Sequence, residues 1–225
     1  MEKLRQNFRR KEISGLRIFS GPDYSEKYVF FPLHFEPETA TMVMAPMYLD
    51  QINLIQNMAK SLPINYKLYV KEHPFMVLLG MRAPDYYKKL QKIPNVVLIK
   101  PEIKSEEIIM NAELVITITG TAGFEAVLLK KPVIAFGRVF YNKLDMVRKC
   151  SDISSLPKTI ADVLDGYKHD ENELIDFLGA ILQASFEIRL SEMYGQGQAE
   201  LLPFEKVLNH PDLPVLIKEF LGYCK

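Results

Sequence analysis

The stretch LVITITGTAGFEAVLLKK, residues 114–131, decides the fold class of this chain. Its first five residues are apolar or β-branched, which is typical of a buried strand. Two glycines then enclose a short polar turn, and the residues that follow have a helical pattern. We therefore predict a strand over 114–118 and a helix from Gly123 to Leu129, joined by a tight turn.

The same alternation of strand and helix repeats on both sides of this stretch. Short runs of apolar, aromatic or β-branched residues occur at 28–31, 66–70, 96–99 and 132–136. Helical patterns lie between them at 52–62, at 84–90 and from Ser105, which we predict to be an N-cap. Near-continuously apolar strands that alternate with helices are typical of a parallel sheet covered on both faces. We predict an α/β fold, a doubly wound Rossmann-like parallel sheet with a helical C-terminal tail.

Three segments follow from the change of pattern along the chain. Residues 1–26 have poor periodicity and predict a linker or docking segment. Residues 27–166 predict the Rossmann-like domain. Residues 167–225 predict a helical tail packed on or beside that domain. In this C-terminal part, helices are predicted at 155–164, 172–190 and 213–221.

Composition excludes several classes of protein. Among 225 residues, 28 basic and 28 acidic side chains give a net charge of zero, which argues against nucleic acid as a partner. The two cysteines have no metal-binding spacing, so we expect neither disulfides nor a metal site. The N-terminus lacks the apolar core of a signal peptide, and no apolar run approaches the roughly 20 residues of a membrane span. We expect a cytoplasmic protein, with at most peripheral contact to the inner face of the membrane.

The strongest candidate site is the turn after the predicted strand at 114–118. In a parallel sheet, ligands bind beyond the carboxyl ends of the strands. A helix N-terminus there offers free N–H groups that suit a phosphate, and threonine hydroxyls can add donors. The alternative is an ordinary strand-to-helix turn with an acidic residue near the helix start. The candidate residues are Thr119, Gly120, Thr121, Ala122, Gly123 and Glu125.

A second candidate follows the run at 66–70. Pro74 stiffens the turn and so fixes the direction of His73, which could donate to or protonate a leaving phosphate. Lys71 could balance the phosphate charge. A His-Pro pair is by itself common in loops. A functional role is favoured because, in a parallel sheet, this pair would lie beside the turn that contains Gly120 and Gly123.

The third candidate lies just past the run at 28–31. His34, Glu36 and Glu38 crowd an imidazole and two carboxylates into five residues between prolines. Such carboxylates could act as a general base, accept sugar hydroxyls or remain solvated loop charges. Arg138 and Tyr141, after the run at 132–136, could touch the base or phosphate of a nucleotide, or act structurally.

With these residues assembled, the chain resembles the C-terminal domain of GT-B-type capsule and surface-polysaccharide glycosyltransferases, in the group that includes Kdo transferases. The matching features are the run YVFFPLH at 28–34 with Glu36-Pro37-Glu38, the Lys71-Glu72-His73-Pro74 turn, and Thr119-Gly120-Thr121 with Glu125-Ala126.

The resemblance implies a nucleotide-sugar donor, CMP- or UDP-linked, a glycan or glycolipid acceptor, and no cofactor. It implies that His73 contacts the leaving phosphate, that Thr119 and Thr121 donate to it, and that Glu125 contacts the ribose. The base for the acceptor would be Glu36 or Glu38, or would come from elsewhere. His34, Lys71, Pro74 and Arg138 complete the predicted donor site.

Two alternatives stay open at this point. Non-hydrolysing UDP-sugar 2-epimerases share the fold, a His-Pro turn and a glycine-rich loop followed by Glu. A non-catalytic nucleotide-binding or assembly module could keep the fold without the chemistry. GT-B enzymes place the active site between two Rossmann-like domains, and this chain has room for one. We therefore expect an N-terminal acceptor domain or a partner chain to supply the other half.

Overall fold

A computed structural model describes residue 13 and residues 16–185, 209–215, 217 and 218. Its centre is one sheet of seven parallel strands in the order β1-β4-β3-β2-β5-β6-β7. The strands are β1 (Phe19–Ser20), β2 (Lys27–Pro32), β3 (Tyr66–Lys71), β4 (Val96–Ile99), β5 (Leu114–Thr117), β6 (Val133–Ala135) and β7 (Val147–Lys149). The five strands predicted from sequence are confirmed, and so is the α/β Rossmann-like fold.

Helices lie between the strands and after the last strand. They are α1 (Thr39–Met42), α2 (Gln51–Ser61), α3 (Pro74–Leu78), α4 (Pro84–Gln91), α5 (Ser105–Asn111), α6 (Thr121–Leu128), α7 (Leu156–Gly166) and α8 (Glu171–Ala184). The side chain of Asp50 caps α2 by accepting from the Asn53 N–H. The predicted N-cap at Ser105 is wrong by one residue, because Lys104 is the N-cap and Ser105 begins the helix. The helix predicted from Gly123 begins two residues earlier, at Thr121.

Both faces of the sheet are covered. On one face, Val29, Phe31 and Leu33 pack in a core cluster that includes residues of α2, α4 and α7. Alternate residues of the same strand point to the other face. There the Tyr28 hydroxyl donates to the carbonyl of Ile108 in α5, and α6 packs on β5 and β6. Every strand of this arrangement directs its carboxyl end to the same edge of the sheet.

The N-terminal segment contributes to this domain. Phe19 and Ser20 form an edge strand in register with Leu98 and Ile99, and Ile13 and Ile18 are buried in the core cluster. Two strand residues are too few to show a period of two, which is why the sequence predicted a linker or docking segment here and no strand. Whether residues 1–26 also join this domain to another stays a prediction.

The chain divides into two compact units, residues 1–171 and 172–225. The first contains the sheet and α7, which confirms the helix predicted at 155–164. The helix predicted at 172–190 is seen as α8, and residues 213–215, 217 and 218 are helical. The remainder of the helices predicted to residues 190 and 221 lies outside the described residues. How residues 167–225 pack stays a prediction.

Candidate functional site at the carboxyl edge of the sheet

The three predicted segments meet at the carboxyl edge. Pro32 and Lys71 end adjacent strands in register, so the segments after β2 and β3 start side by side. The His34 Nε2 atom lies 3.1 Å from the Thr119 backbone nitrogen, which joins the segment after β2 to the turn after β5. Residues 119–123 are called the glycine turn below, and residues 72–74 the His-Pro turn.

His34 supports the glycine turn from beneath. The residue is 5% exposed. Its Nε2 accepts from the Thr119 N–H and lies 3.3 Å from the Thr117 hydroxyl. Accepting at Nε2 places the proton of the neutral ring on Nδ1, which is buried without a partner in the part of the chain that the structure describes. Burial, with smaller contributions from His73 and Arg82, lowers the pKa of His34 to about 4. His34 is therefore a neutral, fixed acceptor at neutral pH.

The glycine turn ends in an uncapped helix. Gly120 is the N-cap of α6 in an extended conformation, φ −77° and ψ 153°, and has no side chain to cap the helix. Its N–H donates to the Thr117 hydroxyl at 3.0 Å, and its carbonyl accepts from the Tyr141 hydroxyl at 2.6 Å. Among the described residues, nothing accepts from the N–H groups of Thr121 and Ala122. These donors are available to an anion.

Thr121 and Glu125 lie together at the start of α6. Both are exposed, and the Thr121 hydroxyl donates to a Glu125 carboxylate oxygen at 3.3 Å. Thr119 differs, because its hydroxyl oxygen is buried and without a partner among the described residues. The two threonines therefore offer different surroundings to a ligand, one open to solvent and one enclosed.

Close packing requires glycine at 123. A Cβ at this position would lie 2.9 Å from both Thr117 Cγ2 and Tyr141 Cζ, and closer still to the Tyr141 hydroxyl. We expect Gly123→Ala to lower the free energy of unfolding by about 1–3 kcal/mol, because the ring that holds Gly120 must shift. Urea denaturation measures this change. Gly166→Ala is the matched control, since a Cβ there has no neighbour within 4 Å. Equal stability of Gly123→Ala and wild type would contradict the expectation.

The His-Pro turn uses one ring nitrogen of His73 as a helix cap. The His73 Nδ1 accepts from the Phe75 N–H at 3.1 Å and so caps α3, which begins at Pro74. The proton of the neutral ring is then on Nε2, which is left to donate to a ligand. Burial lowers the pKa of this half-buried imidazole, Glu38 raises it, and Arg82 and Lys71 lower it. Burial also lowers the pKa of Lys71, and the nearby carboxylates of Glu72 and Glu102 raise it by less.

A buried polar cluster that the sequence did not reveal lies behind both turns. It consists of Glu36, Gln51, Glu72, Arg82 and Tyr87, and we call it the Arg82 cluster. Its guanidinium, 6% exposed, bonds the carboxylates of Glu36 and Glu72 and the carbonyl of His34. Arg82 follows two residues with left-handed backbone, Gly80 at φ 94° and Met81 at φ 69°, which turn the chain inward. Gly80 is the only local signal, and it does not identify the arginine's partners.

The two candidate bases have different surroundings. Both oxygens of Glu36 accept hydrogen bonds, one from Gln51 and one from Arg82. Glu38 is half-buried and is close enough to His73 to raise its pKa. The hydrogen bonds from Gln51 and Arg82 occupy both carboxylate oxygens of Glu36, so the surroundings favour Glu38 as the base.

The segment after β6 borders the glycine turn. A Cβ on Gly137 would lie 2.9 Å from the Ile118 carbonyl oxygen and closer still to Thr119 Cγ2, so the two segments touch. Arg138, next in the chain, is exposed. Within the described residues, no group of three or more His, Cys, Asp or Glu side chains could hold a metal ion. Every described helix is too short or too polar to cross a lipid bilayer.

Comparison with known families identifies the chain. The family model for capsule polysaccharide biosynthesis proteins matches residues 23–151, which include all three candidate segments. The chain belongs to the capsule polysaccharide biosynthesis protein family. The family expected from the sequence is thereby confirmed.

This capsule polysaccharide biosynthesis protein is similar to one curated relative and to several solved structures. It is 32% identical over 171 residues to Protein FixF of Sinorhizobium fredii (strain NBRC 101917 / NGR234), covering 74% of this chain and 40% of FixF. It is also similar to KpsC of Thermosulfurimonas dismutans. The beta Kdo 2,4 transferase matches at 16% identity and TM-score 0.48, covering 77% of this chain and 53% of that one. The beta Kdo 2,7 transferase matches at 21% identity and TM-score 0.47, covering 81% and 64%. This capsule polysaccharide biosynthesis protein thus spans less than two thirds of each.

Proposed function

We propose that this protein is the donor-binding half of a glycosyltransferase that moves a sugar from a nucleotide-activated donor to a surface polysaccharide or glycolipid. The observation that carries the proposal is the uncapped start of α6, whose Thr121 and Ala122 N–H groups lie at the carboxyl edge of the sheet. Membership of the capsule polysaccharide biosynthesis family supports the reaction class.

In the proposed mechanism, the donor phosphate lies against the start of α6. The acceptor hydroxyl oxygen forms a bond to the anomeric carbon while the bond between that carbon and the phosphate oxygen breaks. The phosphate oxygen takes the electron pair and gains negative charge. N–H groups fixed before the reaction stabilise this charge without reorganising. The His73 Nε2–H would donate to the leaving phosphate, because its Nδ1 is already occupied by the α3 cap. Glu38, or a group outside this chain, would accept the proton of the attacking hydroxyl.

The charges around the turn support a donor with a single phosphate. Arg82 is balanced by the carboxylates of Glu36 and Glu72. Lys71 and the exposed Arg138 are the other cations in the predicted site. A sugar linked to CMP carries one negative phosphate, and one linked to UDP carries two. The modest positive charge favours the CMP-linked donor.

Calorimetric titration with CMP, CDP, UDP and GDP tests the proposal, with Thr121→Pro as the decisive variant. Proline fits at the first helical position after extended Gly120 and removes the Thr121 N–H together with the hydroxyl. We expect CMP to bind. We expect Thr121→Pro to weaken binding by about tenfold to a hundredfold, because the variant loses one charge-assisted hydrogen bond to the phosphate.

The matched control is Thr121→Val, which removes the hydroxyl alone and keeps the N–H. We expect it to weaken binding by about threefold, since the hydroxyl is exposed and also bonds Glu125. Circular dichroism checks that α6 persists in both variants. Absence of binding to all four nucleotides, or equal affinity of Thr121→Pro and wild type, would rule out a phosphate site at α6.

A further inference from the structure

We propose that Arg82 is a positioning residue that fixes His73 relative to the glycine turn. The inference rests on the proposed function, since it concerns the same donor site. It starts from one guanidinium that bonds to the segments after two adjacent strands, where nothing in the local sequence indicates such a role.

The first connection runs from Arg82 to His73. The Arg82 Nε donates to Glu72 Oε2 at 3.0 Å, and Glu72 Oε1 accepts from the His73 backbone N–H at 2.7 Å. Glu72 Oε2 also accepts from the Tyr87 hydroxyl at 2.5 Å. Because the Glu72 side chain is fully buried, its carboxylate has one fixed position. The backbone of His73, and hence its imidazole at the start of α3, is fixed with it.

The second connection runs from Arg82 to the glycine turn. The Arg82 Nη2 donates to the His34 carbonyl, and the His34 ring accepts from the Thr119 N–H. The Gln51 side chain accepts from the His34 N–H and donates to the His34 carbonyl, and these two hydrogen bonds fix the position of the His34 backbone. One planar guanidinium therefore sets the separation between the His73 imidazole and the N–H groups of α6.

Only arginine can make these contacts together. Its guanidinium presents donors in three directions, and here they reach Glu72, Glu36 and the His34 carbonyl. The centroid of the Tyr86 ring lies 4.7 Å from the guanidinium carbon, so the ring packs over the guanidinium. A lysine keeps the charge but offers a single point donor, so it cannot hold three acceptors at fixed angles. Arg82→Lys thus separates geometry from charge.

A double-mutant cycle with His73→Asn tests the proposal. Asparagine keeps an N-cap acceptor for α3 but lacks the imidazole Nε2–H. We expect Arg82→Lys to weaken CMP binding about tenfold in wild type and less than about twofold in the His73→Asn background. Once the imidazole is absent, its separation from the glycine turn no longer matters. Lys130→Gln, which removes an exposed cation paired with Glu171, is the control and should leave affinity unchanged.

An equal loss in both backgrounds would overturn the inference, because Arg82 would then act on the fold in general. Unchanged affinity in Arg82→Lys, with affinity lowered by His73→Asn, would overturn it too. If wild-type protein binds no nucleotide, the proposed function fails, and the inference is decided by a second measurement.

That measurement is the titration of the His73 imidazole by NMR in wild type, Arg82→Lys and Arg82→Gln. The charged groups acting on His73 are Glu38, Lys71 and Arg82, with His34 close by. Arg82→Gln removes a positive charge and should raise the pKa of His73. Arg82→Lys keeps the charge but should broaden or shift the Nε2 resonance, since the ring is no longer held in one position. A His73 ring unaffected by either change would overturn the inference.

Discussion

Glu72→Met should lower the free energy of unfolding by about 3–5 kcal/mol, the usual cost of breaking a buried ion pair. The Glu72 side chain is fully buried and accepts from Arg82, Tyr87 and the His73 N–H. Removing it leaves the guanidinium with one carboxylate, Glu36, and leaves two other donors without an acceptor. Urea denaturation of the two proteins measures the difference.

The double variant Glu72→Met/Arg82→Met sharpens this prediction. With both charges gone, no buried cation lacks a partner, and Glu36 is exposed enough to be solvated. We expect the double variant to be more stable than Glu72→Met alone, since apolar replacement of a whole buried pair is often nearly neutral. Glu171→Gln, at the exposed pair with Lys130, should cause no measurable change. A double variant less stable than the single one would contradict this account.

His34 should make the protein lose about 3 kcal/mol of stability as the pH falls from about 6.5 to 4. Its pKa is about 4 in the folded protein, against an ordinary value of 6.5 for histidine. Within that window the unfolded chain binds a proton at His34 and the folded chain does not. The free energy of unfolding therefore rises with pH across the window. Each unit of pKa difference between the folded and unfolded states corresponds to about 1.4 kcal/mol.

The measurement compares wild type with His34→Asn by urea denaturation at several pH values. Asparagine does not titrate, so the other ionisable groups largely cancel in the difference. We expect the stability difference between the two proteins to be largest near pH 7 and to shrink by about 3 kcal/mol towards pH 4. A constant difference, or an NMR titration of the folded His34 near its ordinary pKa, would refute the prediction.

The candidate site was predictable to the extent that local sequence builds it. Gly120 and Thr121 follow a buried strand and begin a helix, so the turn and its free N–H groups could be inferred from sequence alone. The N-terminal edge strand could not, because two residues have no period. The sequence predicted His34 as part of the donor site. In the structure, its ring accepts a hydrogen bond from the Thr119 N–H and so supports the glycine turn.

Arg82 shows the limit of sequence most clearly. It lies 46 positions from Glu36 along the chain and 10 from Glu72, and neither spacing is a local pattern. The contact exists because β2 and β3 are adjacent in the sheet and a left-handed turn at Gly80 and Met81 directs Arg82 inward. Sequence offered Glu36 and Glu38 as equivalent bases, whereas the ion pair with Arg82 distinguishes them.

The sequence by itself determined which residues form the five inner strands, which turns follow them and, by the parallel alternation, at which edge those turns meet, whereas the edge strands β1 and β7 were not predicted. Hydrophobic periodicity and glycine placement are local properties, so they can be recognised in the sequence without knowledge of the fold. The tertiary structure decided which side chains of those turns face each other, which are buried and which protonation state each holds. Those properties depend on desolvation and on charges brought close by packing, and both arise only when distant segments come together.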